Sequence, residues 1–187
     1  MNIDTTIIEQ CCKKDRKAQE KLYYQVYPYI MGICYRYFVN REDAKDIANI
    51  VMCKVLMNIE QYNSQYAFTT WVSKITVNTI LEEFRKNKKH QNIEYVENYY
   101  DNSTYSDTNH FLIDADYEQI LEWIKHLNDI EKQIFNLYFI DEYTHKEIAE
   151  MMNISEGTSK WYVHQIKQKI KLNIKQSNLA DAGKSNK

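Results

Sequence analysis

Glycine occurs three times and proline once in 187 residues, so the chain lacks the turn residues that a protein of many short strands consumes. That scarcity excludes most sandwiches and barrels and makes an all-α fold the expectation. The four cysteines, Cys11, Cys12, Cys34 and Cys53, form no CxxC pair and no zinc spacing. They read as small apolar residues in a reducing cytoplasm, and no metal or other cofactor is expected. The first residues lack a signal-peptide pattern, and no apolar run approaches the roughly 20 residues that cross a bilayer, so membrane insertion is not expected. Phosphate-cradling glycine loops and nucleophile motifs are missing too, so no catalytic residue is nominated and the chain does not read as an enzyme.

Charge is present but sorted. Residues 1–89 carry fourteen basic against ten acidic side chains, net +4, and residues 155–187 carry seven against two, net +5. Between them, 90–118 has seven acids with no lysine or arginine, and 119–154 has seven acids against three lysines. A net charge of −2 therefore conceals two basic regions that suit a polyanion locally. The acidic stretch is rich in Asn, Asp, Ser and Tyr without a clear helical period. It reads as a flexible linker over 90–118, joining a helical domain over 1–89 to a second over 119–175, with a polar tail at 176–187 expected to fray.

In the first domain, Pro28 breaks a helical pattern and is expected to open a new helix at Tyr27 or Pro28, where its missing N–H costs nothing. Asn40 is a candidate N-cap for a helix whose Ala44, Ile47, Ala48, Val51 and Val55 recur at helical spacing as a core stripe. The opposite face carries Asp43, Asp46, Asn49, Ile50 and Cys53, less polar than a solvated face usually is, and could receive a partner. A loop at Ile59–Tyr66 leads into a helix with Phe68, Trp71, Val72 and Ile75 as its expected core stripe. That helix ends in Arg85, Lys86, Lys88 and Lys89, cations that could equally offset the helix dipole. Aromatics beside a loop and a basic helix end could hold single-stranded DNA by stacking; Tyr62, Tyr66, Phe68 and Trp71 are candidates, with packing an equal alternative for Phe68 and Trp71.

The second domain is more specific. Leu127, Ile130, Ile134, Leu137 and Tyr138 mark an amphipathic helix, and Thr144 with Glu147 forms a capping box ahead of Ile148, Ala149 and Met152. Asn153 suits a left-handed turn and Ser155 an N-cap, which together predict a helix-turn-helix. On its last helix, Ser159, Val163, Ile166 and Ile170 are expected to face the core. Trp161, His164, Gln165 and Gln168 then point outward, with Thr158, Lys160 and Lys171 on the flanks. An exposed tryptophan forfeits about 2 kcal/mol of burial and so favours a partner. Such a helix usually enters the DNA major groove; a small bundle that binds protein is the alternative.

The run DAKDIANIVMCKV (Asp43–Val55) resembles region 2.2 of bacterial sigma factors of the sigma-70 family, extracytoplasmic-function (ECF) subgroup. FTTWVSKITVNTILEEFRK (Phe68–Lys86) resembles their regions 2.3 and 2.4, and Leu127–Ile170 resembles region 4. The resemblance implies a bacterial, cytoplasmic initiation factor that binds core RNA polymerase at the β′ clamp helices and β flap and reads −10 and −35 promoter DNA. Asp43, Asp46, Asn49, Ile50 and Cys53 would meet polymerase. Tyr62, Asn63, Tyr66 and Asn78 would meet the extruded −10 base, and Arg85 and Lys86 the adjoining backbone. Ser155, Thr158, Lys160, Trp161, Tyr162, His164 and Gln165 would serve the −35 element. An anti-sigma factor is a possible further partner of such a protein. The chain departs from the family pattern where Asn49 and Ile50 replace a Gln-Glu pair, Tyr162 and Gln165 replace arginines, and Asn128 replaces a proline.

Two further expectations follow. A stand-alone helix-turn-helix regulator with an N-terminal sensing or dimerising domain is the alternative function, and it would bind duplex DNA without polymerase. The acidic linker, through Asp101, Asp107, Asp114 and Asp116, could also fold over the basic regions and mask them.

Overall fold

A computed structural model describes residues 3–91 and 117–184. The linker reading and the masking idea concern residues outside this set. The chain divides into two compact units, Met1–Ile93 and Glu94–Lys187, and every regular element among the described residues is helical.

The first unit begins with α1 (Thr5–Cys12), capped by Asp4, whose carboxylate accepts the Thr6 N–H at 2.9 Å. Lys14, in the left-handed region at φ 61°, turns the chain into α2 (Arg16–Tyr37), which Asp15 caps through the Ala18 N–H. Helix α2 runs straight through Pro28, contrary to the expected new helix at that residue. An interior proline costs about 3 kcal/mol through its lost N–H and the clash one turn back. Val26 and Ile30, fully buried on either side of it, contribute about 1.5–3 kcal/mol each, so core packing carries the helix across the break.

Asn40 caps α3 (Arg41–Met57) through the Glu42 N–H at 3.0 Å, and all five residues of the expected stripe, Ala44 to Val55, are buried. A single 3₁₀ turn, Ile59–Gln61, and a short loop lead to α4 (Phe68–Gln91). Here the buried face is Phe68, Val72, Thr76, Thr79 and Ile80, while Trp71 and Ile75 lie at its edge, half-buried. The expected stripe is thus rotated. Two threonines can take core positions because each hydroxyl donates to the carbonyl one turn back, Thr76 to Val72 and Thr79 to Ile75, both at 2.8 Å.

The second unit holds α5 (Tyr117–Lys125), α6 (Asp129–Phe135), α7 (His145–Met152) and α8 (Glu156–Lys184). Asn128, in place of the proline of the family pattern, builds a capping box with Glu131 at the start of α6. After Phe135 the helix widens into a π segment, Asn136–Ile140. The core gathers Ile134, Phe135, Leu137, Ile148, Ile166 and Ile170, all fully buried; Ile130 and Tyr138 of the expected stripe are only half-buried. Helix α8 continues to Lys184, well past the expected end at 175, since neither proline nor glycine interrupts it before Gly183.

Candidate nucleic-acid and partner interfaces

The turn between α7 and α8 is built from local chemistry. Thr144 and Glu147 close their capping box: the Glu147 carboxylate accepts the Thr144 N–H at 2.8 Å, and the Thr144 hydroxyl accepts the Glu147 N–H at 3.3 Å. Asn153 ends α7 at φ 54°, ψ 52°, where its short polar side chain tolerates the left-handed conformation. Two residues later Ser155 accepts the Thr158 N–H at 3.0 Å and opens α8. This is the predicted helix-turn-helix.

On α8 the stripe Ser159, Val163, Ile166 and Ile170 is buried as expected, and Lys160 and Gln168 are exposed. Trp161, His164 and Gln165 lie half-buried on the outward side, and the Trp161 ring meets Tyr162 edge-on at 4.8 Å. Two expected contact residues are placed elsewhere. Thr158 is 2% exposed and its hydroxyl lies 2.9 Å from that of Ser155, while Tyr162 is 5% exposed. Both turn inward because the buried arc of α8 is wider than the stripe read from sequence and reaches past position 162. Burial, reinforced by Glu131, pushes the Tyr162 phenol above its usual range.

Sequence reasoning gave no sign of His145, the first residue of α7. Its Nδ1 lies 3.0 Å from the Ser159 hydroxyl, and its ring stacks on Tyr138 at 4.7 Å. Burial first, then Lys160 and Lys167, hold its pKa below the ordinary histidine value; Glu156 opposes them.

In the first unit, the outward face of α3 presents Asp43, Asp46, Asn49, Ile50 and Cys53, every one exposed. Ile50 is 44% exposed, and Met57, two turns further along the same face, is 81% exposed. Met57 went unremarked in the sequence because it lies beyond the quoted motif. Such an apolar ridge among acids does not serve the fold.

The loop before α4 carries an aromatic cluster. Tyr62 lies 5.0 Å from Phe68 and 5.6 Å from Trp71, and its hydroxyl donates to the Tyr66 carbonyl at 2.7 Å. Asn63 accepts the Gln65 N–H, which tightens the loop tip and leaves the Tyr66 ring 67% exposed. Phe68 is core, so it supports this cluster from below rather than lining a free surface. Asn78, Arg85 and Lys86 are exposed along α4.

Comparison with known proteins places these surfaces. Residues 22–90 match the family profile described as Sigma-70 region 2, and residues 117–170 match Sigma-70, region 4. The chain belongs to the sigma-70 family. It is 26% identical over 166 residues to the ECF RNA polymerase sigma factor SigW of Bacillus subtilis, covering 78% of this chain and 83% of the relative. It is 25% identical to the RNA polymerase sigma factor YlaC of the same organism, covering 88% and 96%. The fold matches that of the sigma factor RpoE from Bartonella quintana, solved in complex with the anti-sigma factor NepR, with TM-score 0.51 and 13% identity over 83% of this chain and 96% of that one. The names of its relatives put this sigma-70 protein in the ECF subgroup. The aromatic loop and the α3 ridge therefore lie in region 2, and the helix-turn-helix in region 4. Among the described residues no helix is long and apolar enough to cross a membrane, and no three His, Cys, Asp or Glu side chains gather as metal ligands.

Proposed function

We infer that the protein is an ECF sigma factor: it binds core RNA polymerase in the bacterial cytoplasm and directs promoter-specific initiation, without catalysing a reaction of its own. The observation that carries this reading is the ordered pair of region 2 and region 4 matches, the latter coinciding with a complete helix-turn-helix. Separate units for two promoter elements need an external scaffold to fix their spacing, and core polymerase is that scaffold.

Within this reading, Asp43, Asp46, Asn49, Ile50 and Cys53 dock on the β′ clamp helices, with Met57 extending the apolar ridge. An exposed apolar side chain among acids fits a partner surface of mixed apolar and basic character. Tyr62, Asn63, Tyr66 and Asn78 receive an extruded −10 base, whose stacking on an aromatic offsets the few kcal/mol of unstacking. Arg85 and Lys86 meet phosphates beside it. In the major groove, Lys160, Trp161, His164 and Gln165 face the −35 element, where Gln165 has the geometry to read adenine. Ser155, Thr158 and Tyr162 shape the helix start and its packing. The β flap is the expected seat of region 4, and an anti-sigma factor is a further partner to seek.

Reconstitution tests the reading. Purified protein added to core polymerase should yield a stable complex and transcripts that begin at defined sites on genomic DNA. A protein that fails to associate with core, or that binds duplex promoter DNA tightly without it, overturns the assignment in favour of a stand-alone regulator.

A further inference from the structure

Cations from two helices converge beside the helix-turn-helix where the fold gives no reason for them. His145 opens α7, while Lys160 and Lys167 belong to α8, and both lysines act electrostatically on the imidazole. Lys146 stands exposed next to it. Facing the ring from α8 are Lys160, Lys167, Glu156 and the Ser159 hydroxyl; Tyr138 of the π segment covers it from α6; Thr144 and Glu147 are engaged with each other in the capping box. One acid against three basic groups is a repulsive arrangement, and a bound polyanion would relieve it.

The imidazole is also held for such a ligand. Its Nδ1 faces Ser159, which is fully buried, so ring geometry directs Nε2 away from that bond. A serine hydroxyl both donates and accepts. It therefore holds Nδ1 when the ring is neutral and equally when Nδ1 carries a proton. Protonation adds charge without losing the ring's position.

We propose that His145, with Lys160 and Lys167, is a proton-coupled clamp for a phosphate of the −35 DNA backbone, so that promoter engagement by region 4 takes up a proton. This rests on the −35 reading above and adds to it a ligand group, a residue and a pH dependence. A phosphate at Nε2 favours the imidazolium, whereas burial and the neighbouring lysines disfavour it in the free protein. Binding therefore tightens as pH falls from near neutral, and flattens once the free protein is itself protonated.

The test uses holoenzyme reconstituted from the full chain and core polymerase, and a promoter fragment that this holoenzyme enriches from a random library. Affinity is measured at fixed ionic strength from about pH 8 to about pH 5.5, where one linked proton changes it by at most about tenfold per unit. Wild-type holoenzyme should gain about three- to tenfold, and His145→Gln should lose that gain while keeping its affinity at the alkaline end. Lys160→Gln, at an exposed position, should weaken binding throughout and move the onset of the gain to higher pH, a shift that a purely structural lysine would not cause. His164→Gln should retain the gain. A pH response that survives His145→Gln, or that disappears with His164→Gln alone, overturns the clamp. Failure of the holoenzyme to enrich any fragment removes the −35 reading itself, and the clamp with it.

Discussion

Lys169 Nζ lies 2.6 Å from Glu131 Oε1, and the other oxygen of the same carboxylate accepts the Asn128 N–H at 3.0 Å. One buried acid thus caps α6 and anchors α8 thirty-eight positions along the chain. Replacing Glu131 by Ala removes both functions and should cost the second unit about 2–3 kcal/mol. Glu131→Gln preserves the capping box and loses only the ion pair, which is worth less because Lys169 is partly exposed; about 1 kcal/mol is expected. Urea melts of the two variants check the order. Equal losses would show that the cap contributes nothing.

The left-handed Asn153 makes a prediction of opposite sign for two substitutions. Glycine adopts φ 54° without strain, so Asn153→Gly should leave stability within about 0.5 kcal/mol of the parent. Asn153→Val places a β-branched side chain in the same conformation and should cost about 1–2 kcal/mol. Thermal unfolding of region 4 reads the difference, and a valine variant as stable as the glycine one would contradict the turn geometry.

The cysteines should label in a fixed order. Cys53 is exposed on the outward face of α3, whereas Cys34 is fully buried, and burial pushes its thiol up to about 12. Burial raises Cys11 as well. Since only the thiolate attacks, brief alkylation near neutral pH should mark Cys53 and spare Cys34 and Cys11 until the unit unfolds. Core polymerase, if it covers the α3 ridge, should protect Cys53 too. Mass spectrometry with and without core separates these outcomes.

Caps and turns were legible in the sequence because their causes are local. Asn40, the Thr144–Glu147 pair, Asn153 and Ser155 act on residues no more than a few positions away, and the structure gives each the predicted partner or conformation. The α3 stripe was legible as well, since its small and β-branched residues leave no ambiguity of phase. Pro28 was misjudged because a propensity rule was applied where Val26 and Ile30 overrule it through contacts with other helices. The face of α4 was read one step off because threonine looks polar in a sequence, while Thr76 and Thr79 satisfy their hydroxyls on their own helix. Thr158 and Tyr162 were placed outward for want of knowing how far the α8 core arc extends. Nothing local could have paired Glu131 with Lys169 or His145 with Ser159, whose partners are far apart in the chain.

Ile50 and Met57 give a test that separates binding from folding. Both are exposed, so Ile50→Asp and Met57→Asp should leave thermal stability within about 0.5 kcal/mol of the parent. On the proposed polymerase face, each carboxylate would be buried against apolar groups, and affinity for core should fall about tenfold or more. Loss of stability without loss of binding would mean that the ridge packs within the domain instead.

The two units should respond to acid differently. Glu82, in the first, is held below the ordinary carboxylate range chiefly by a 2.7 Å hydrogen bond from Lys54. A depressed carboxyl contributes stability above its unfolded pKa and loses it only as pH falls below about 4.5. His145, in the second unit, is depressed for the converse reason, since burial favours the neutral ring. Its unfolded form takes up a proton first, so its contribution is complete above about pH 6.5 and declines as pH falls from there toward the folded value. Region 4 should therefore begin to weaken near pH 6.5 while region 2 holds until the carboxylates titrate. Hydrogen exchange resolved along the chain between about pH 7 and about pH 5 reads both units at once. His145→Gln should remove the early loss in region 4 and leave region 2 unchanged; early weakening that persists in this variant would assign the effect to another group.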